Sequence, residues 1–371
     1  MSLLFRLSLL VLALGATAAR ADRDIVYAAR YYAPPGDHRT SHFHLYRINP
    51  DGTGRTQLTF GNADEDSPQW SPDGRWIAFV RSSRGGDVLF LVRASGGRPT
   101  PLLPGRAGSA EGDELAWSPD SRTIAVFSSD ALLLVDRRTR AVRRLPGVEQ
   151  FVWSPDGRRA YISVNGASGW GDGHAEILTL RTGRRVPIPG FDATAWMDGD
   201  SAIWTGNRYV IGVARVRQPG AVALGVCDLS GRLVRVVACH WPAGVPDPAA
   251  DAPDMGVASL LPGPAGCPWA LWAENNSISS WHDVLYSRLD IKAKRLTLLA
   301  EGQFLALSPD GARFCVAPHR EIVPYARRRD GTARGVWAAP LRVGQADGGR
   351  PRTITPRLVW VTGADWRRGR G

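Results

Sequence analysis

Histidines and carboxylates are the residues of this chain whose types and spacing could do chemistry. His38, His42 and His44 cluster near the start, and His42 and His44, two positions apart, would point the same way on a strand, which suits chelation of a divalent metal. The other four, His174, His240, His282 and His319, are scattered through 371 residues. Loop histidines at a surface are the commoner case, so no metal ligand is assigned, His42 and His44 standing as the candidates. Asp64-Glu-Asp66, Gly171-Asp-Gly173 and Asp198-Gly-Asp200 lack the spacing of an EF-hand loop and read as turns. Cys227, Cys239, Cys267 and Cys315 are too few for a disulfide framework and contain no C-x-x-C. A turn at Ser230-Gly231 sets Cys227 opposite Val234, so no pairing is assigned.

The elements that must position these groups are set by an internal repeat. Trp70-Ser-Pro-Asp-Gly-Arg-Trp-Ile-Ala-Phe recurs from Trp117, from Trp153 and, with Leu in place of Trp, from Leu307. Weaker copies are anchored at Trp196, Leu260 and Trp360. Spacing of this size, with 41 Gly and 27 Pro breaking the chain into short segments, suits blades of four strands, A to D, rather than helices. The expected fold is all-β, a β-propeller of four-stranded antiparallel blades, seven in number. Its N-terminal strands B, C and D (Ile25 to Arg30, His44 to Ile48, Arg55 to Thr59) would be completed by a C-terminal strand A, closing the ring and removing exposed edges. The step after Trp196 is the longest, because Ser201 to Cys227 holds one strand more than a blade needs.

The repeat also organises charge. Four residues before successive anchors stand Asp66, Asp113, Glu149 and Asp192, an arc near the mouth of the central channel. A position fixed by a repeat is structural in the first instance, each carboxylate pinning its blade to the next. The functional reading is a channel-mouth site for a cation or a basic peptide, since like charges there need a partner. The opposite face, made by A–B and C–D turns, carries an arginine rim running from Arg55 to Arg350, with Arg75, Arg122 and Arg158 added. The formal charge is +11, and 44 of the 46 basic residues are Arg. Trp170, Trp281 and His282 fall in B–C loops on the carboxylate face, where exposed aromatics are candidate contacts.

The motif W-S-P-D-G-R-x-I-A-F, preceded by Leu58-Thr-Phe-Gly and Asp66-Ser-Pro-Gln, resembles the TolB-like family of WD-related propeller repeats. The resemblance covers essentially all of residues 22–371, read as a single domain. It implies an exported scaffold, without catalysis, that binds an envelope protein or peptide at the carboxylate face or an anionic glycan at the arginine face. Some oligouronide lyases share the fold and hold a divalent metal through histidines, so a metal-dependent lyase is the alternative. A peptidase would need G-x-S-x-G, which is absent.

Residues 1–21 read as a secretory leader: Arg6, an apolar run from Leu7 to Leu14, then small residues ending at Ala21. The run is too short to anchor in a bilayer. A periplasmic or secreted monomer is therefore expected, with no cofactor assigned beyond a divalent cation that the channel would admit. Export also removes nucleic acid as the partner of the basic charge.

Overall fold

A computed structural model describes residues 24–32, 42–82, 86–103, 115–128, 131–166, 169–191, 202–214, 221–240, 259–262, 269–275, 284–290, 295–302, 304–318, 321–327, 333–345, 349–357 and 359–367. At 165–172, 221–222, 240, 259–305 and 321–337, only the backbone of the strands is described.

The Ser-Pro-Asp-Gly turns show why the repeat folds as it does. The Ser71 hydroxyl donates to Asp73 Oδ1 at 2.6 Å and accepts the Trp76 N–H at 3.0 Å, while Asp73 Oδ1 takes the Arg75 N–H at 3.0 Å. One serine and one aspartate thus satisfy the backbone donors of a two-strand corner. The same bonds recur at Ser118 with Asp120 and at Ser154 with Asp156. Gly74 supplies the left-handed backbone that the corner requires, at φ +64°.

The blades are staples as well as sheets. Trp117 Nε1 donates back to the carbonyl of Gln69 at 3.2 Å, and Trp153 Nε1 to that of Ala116 at 3.1 Å. Trp204 Nε1 repeats the bond to Val152 at 3.0 Å. The next anchor in the series is therefore Trp204, not Trp196, which lies outside the described residues. The next corner reaches back too: the Ser121 hydroxyl accepts the Asp73 N–H at 2.9 Å.

The sheets form a ring of blades. The first joins Val359–Trp366 to Ile25–Tyr31, His44–Ile48 and Thr56–Gln57, so the C-terminal strand completes the N-terminal sheet as the repeat requires. Its anchor is Trp366, which pairs with Ile25 as Trp70 pairs with Ile77, rather than Trp360. The second blade runs from Glu65–Trp70 to Thr100–Pro101, the third from Leu115–Trp117 to Val142–Pro146 and the fourth from Val148–Trp153 to Arg185–Pro187.

Seven separate blades do not form. The fifth sheet is eight-stranded, two four-strand halves (Ala202–Thr205 to Leu233–His240, and Ser259–Pro262 to Arg295–Gly302) joined by a parallel pairing of His240 with Arg295. Among the described residues the blade count is thus six, because edge strands that would have stood apart pair with each other. The sixth sheet, Phe304–Leu307 with Arg313–Ala317, Arg342–Gln345 and Arg352–Thr353, carries an inserted hairpin, Glu321–Arg327 with Ala333–Ala338. That hairpin accounts for the long final step in the repeat.

Cores lie between blades. Ala78, Val80, Leu89 and Leu91 of the second blade pack on Ile124, Val126 and Leu133 of the third. Leu132 and Leu134, on the other face of the same third-blade strand, pack on Phe151, Ile162 and Leu178 of the fourth. Successive residues of a strand point to opposite faces, so blade strands are buried on both sides and read as continuous apolar runs such as Ala131 to Val135. Each fully buried Leu or Phe contributes about 1.5–3 kcal/mol.

Candidate functional site

The B–C and D–A loops share one face of the ring, and between the first and second blades this face holds the densest polar cluster among the described residues. Its base is Glu65, the first residue of Glu65–Trp70, with a side chain only 1 % exposed. The Arg81 guanidinium donates to Glu65 Oε1 through Nε at 3.0 Å and also through Nη2, so the pair is two-pronged. The Thr59 hydroxyl donates to Glu65 Oε2 while accepting the Leu45 N–H at 2.9 Å. Arg81 also lies over the Phe90 ring, 4.5 Å from its centroid. Its stem and charge are both held in place.

Above this base Asp64 is half exposed. It takes the Phe43 N–H at 2.8 Å and Arg30 Nη2 at 3.3 Å, and Arg30 stacks over the Phe43 ring at 4.3 Å. The histidines of the sequence reading arrive here. His42 Nδ1 faces Asp64 at 3.4 Å and His44 Nδ1 faces Glu65 at 3.8 Å, their rings 6.5 Å apart. His42 precedes the strand that His44 opens, so the expected side-by-side chelating pair is divided between two carboxylates. No group of three or more His, Cys, Asp or Glu among the described residues is placed to hold a metal ion.

The channel-mouth carboxylates are placed differently from one another. Asp66 and Glu149 both sit where the register slips in their strands. At Asp66 the bulge turns Ser67 to φ +51°, and the carboxylate takes the Ser67 N–H at 2.7 Å and the Thr362 hydroxyl at 2.9 Å. Burial pushes its carboxyl above the ordinary range, against the lowering effect of those two bonds. Asp66 therefore latches the second blade to the closing strand, beside Asp365, whose Oδ2 accepts the Trp70 N–H at 2.7 Å. Glu149 is exposed. Asp113 and Asp192 lie outside the described residues, as do Trp281 and His282. For Trp170, in Gly169–Thr179, only the backbone is described.

Sequence reasoning assigned no site role to Arg30 and Thr59, read only as the ends of strands B and D of the first unit, or to Arg81. It also missed Phe60, 70 % exposed in the D–A loop between Thr59 and Asp64. The available signal was Asp64-Glu-Asp66 itself, three acids in a row where a strand bearing a repeat anchor begins. Cys227, Cys239 and Cys315 are buried and form no disulfide among the described residues. A bulge sets Cys227 opposite Leu233 rather than Val234, and burial pushes its thiol up to about 11. Cys267 lies outside the described residues.

No protein-family model matches the chain. A 54-residue stretch is 41% identical to the uncharacterized protein Atu1656 of Agrobacterium fabrum (strain C58 / ATCC 33970), spanning 15% of this chain and 18% of that protein. Among solved structures, TolB from Acinetobacter baumannii superposes with a TM-score of 0.53 at 15% identity, over 94% of this chain and 67% of that one. An oligogalacturonate lyase in complex with manganese gives 0.55 at 13% identity, over 88% and 84%. The β-propeller domain of the Trilobed protease from Pyrococcus furiosus gives 0.56 at 12% identity, over 90% and 93%. At such identities the likeness is one of fold, shared by binding proteins and enzymes alike. Sequence repeat, sheet order and superposition agree that the chain is a β-propeller.

Proposed function

We propose that the chain is an exported, non-catalytic binding propeller whose loop face, between the first and second blades, receives a protein or peptide partner in the cell envelope. The observation that carries this reading is the placement of Phe60. A largely exposed aromatic ring flanks a polar shelf whose charges are already fixed, Glu65 by Arg81 and Asp64 by Arg30. An aromatic anchor beside ordered polar groups is the usual composition of an interface hot spot, because little side-chain freedom remains to be lost on binding. Asp64, 44 % exposed, and His42, 32 % exposed, are the charged and polar groups left facing outward. They suit a partner segment with an apolar side chain and a hydrogen-bond donor or cation. Envelope location rests on the leader at residues 1–21, which lie outside the described residues. No helix among the described residues is long and apolar enough to cross a membrane.

The test is capture from the native cell envelope by immobilised wild type and by Phe60→Ala and Asp64→Arg. Phe60 is exposed and Asp64 half exposed; circular dichroism checks that both variants keep the fold, and a specific band should be lost from both. A capture profile identical for all three proteins rejects the site.

The second reading, a metal-dependent uronate lyase, is favoured by the superposition on the manganese-bound lyase. The described residues do not fit that group, since His42 and His44 each face a separate carboxylate and no three-ligand set forms. Incubation with oligogalacturonate and manganese, followed by absorbance of unsaturated product, distinguishes the two. Product formation abolished by His42→Ala or His44→Ala would replace the binding reading.

A further inference from the structure

The turn face of the third blade departs from the repeat in a way that local folding does not require. Aligned by their turn hydrogen bonds, the C–D turns of the third and fourth blades match residue for residue. Asp136 N–H bonds the Ala141 carbonyl as Thr179 bonds Arg184, and Arg137 N–H bonds the Arg122 carbonyl as Leu180 bonds Arg158. The third blade therefore has Arg137 where the fourth has Leu180. It has Arg140, at φ +61°, where the fourth has Gly183 at φ +74°. A left-handed backbone suits glycine and penalises arginine by sterics at Cβ. Ser121, the other left-handed non-glycine residue of this blade, has a compensating bond from the Asp73 N–H. Arginine thus stands at two turn positions of the third blade where the fourth has leucine and glycine.

Three neighbouring arginines, Arg140 not among them, converge on a feature. Arg122, Arg137, Arg138 and Asp136 line a cavity of about 340 Å³. Arg137 is fixed, with Nε donating to the Ser121 carbonyl at 3.2 Å and its guanidinium 5.1 Å from the Trp76 ring centroid. Arg122 is 71 % exposed and 3.9 Å from Asp136. Asp136 is spent on its own turn, accepting the N–H groups of Thr139 at 2.7 Å and Arg138 at 2.9 Å, bonds that hold its carboxyl below the usual range. It stays ionised without neutralising three guanidinium groups, and the lining keeps a net positive charge.

We propose that this cleft on the third blade is a binding site for acidic polysaccharide, its guanidinium groups taking the carboxylate or sulfate groups of the sugar. Planar guanidinium forks match those anions in two-pronged geometry. A concave site confined to one blade suits a flexible chain better than a flat bilayer. The site is on the opposite face from the loop cluster and does not depend on it.

Calorimetric titration with an alginate oligomer tests the proposal, with a neutral cello-oligosaccharide as control and anionic phospholipid vesicles as a separate arm. Alginate should bind and the neutral sugar should not. Affinity should fall between about 10 mM and about 150 mM salt as the screening length drops from about 30 Å to about 8 Å. The double variant Arg122→Ala, Arg138→Ala, at two exposed positions, should lose roughly tenfold or more in affinity. Arg140→Gly, outside the cavity lining, should melt about 1–2 °C higher as strain is relieved and bind alginate as wild type does. Phe60→Ala should bind alginate unchanged. Equal affinity of the double variant and wild type, no preference over the neutral sugar, or binding to vesicles alone would overturn it.

Discussion

The two faces of the ring use carboxylates in opposite ways. On the turn face Asp73, Asp120, Asp156 and Asp228 accept N–H groups of their own corner or turn. Where the bonds come from Thr53, Thr139, Ser230 or Ser308, they hold Asp51, Asp136, Asp228 and Asp310 below the usual carboxylate range. On the loop face Asp64 and Glu65 meet arginines and histidines from neighbouring strands and loops. Turn carboxylates build the repeat; loop carboxylates join things the repeat does not specify. Position in a repeat thus separates local from long-range roles better than residue type does.

The largest expected effect comes from emptying the loop-face base. Glu65→Ala strands the Arg81 charge beside an almost fully buried site and should cost about 3 kcal/mol in urea unfolding. A loss under about 1 kcal/mol would put Glu65 on a par with the turn acids and collapse the contrast. Next, Trp153→Phe removes the indole donor that reaches Ala116 and part of a half-buried ring, for about 1–2 kcal/mol by the same measurement. Ser118→Ala, on the turn face, deletes a hydroxyl that both donates and accepts and should cost about 1 kcal/mol. If it costs more than Glu65→Ala, the ranking of the faces is reversed.

The smallest effect is a pH dependence. The carboxyl of Asp66 is raised in the folded state, so its ionisation on folding is unfavourable. That contribution is absent at low pH and grows as pH rises through the folded value. Asp66→Asn, which cannot ionise, should therefore gain stability relative to wild type at neutral pH, with the difference shrinking as pH falls toward 4. A difference that stays constant over that range removes burial as the cause.

Much of the architecture was legible in residues. The Ser-Pro-Asp-Gly copies located the corners, and the B, C and D strands at the N-terminus were placed within a residue or two, apart from the short last strand, Thr56–Gln57. The closing strand was found one anchor early, because Trp360 and Trp366 stand on one strand and only pairing with Ile25 tells them apart. Trp204 was passed over for Trp196 because its corner, Thr205-Gly-Asn-Arg208, lacks the serine and proline of the motif. The site was less legible. Counting from anchors picked out Asp66, which the closing strand turned into a latch, while Glu65 beside it became the buried base of the cluster.

By itself the sequence determined what can be written as short-range hydrogen bonds and alternating apolar runs: the blade, its corners and the arginines in its turns. Those features depend on residues a few positions apart, so spacing reveals them. Only the tertiary structure decided that Arg30 and Arg81 would meet Asp64 and Glu65, that edge strands would fuse two blade halves, and that Arg137 would lie over Trp76. These contacts join distant positions through ring closure and sheet stacking, and no local pattern records which side chains that brings within reach.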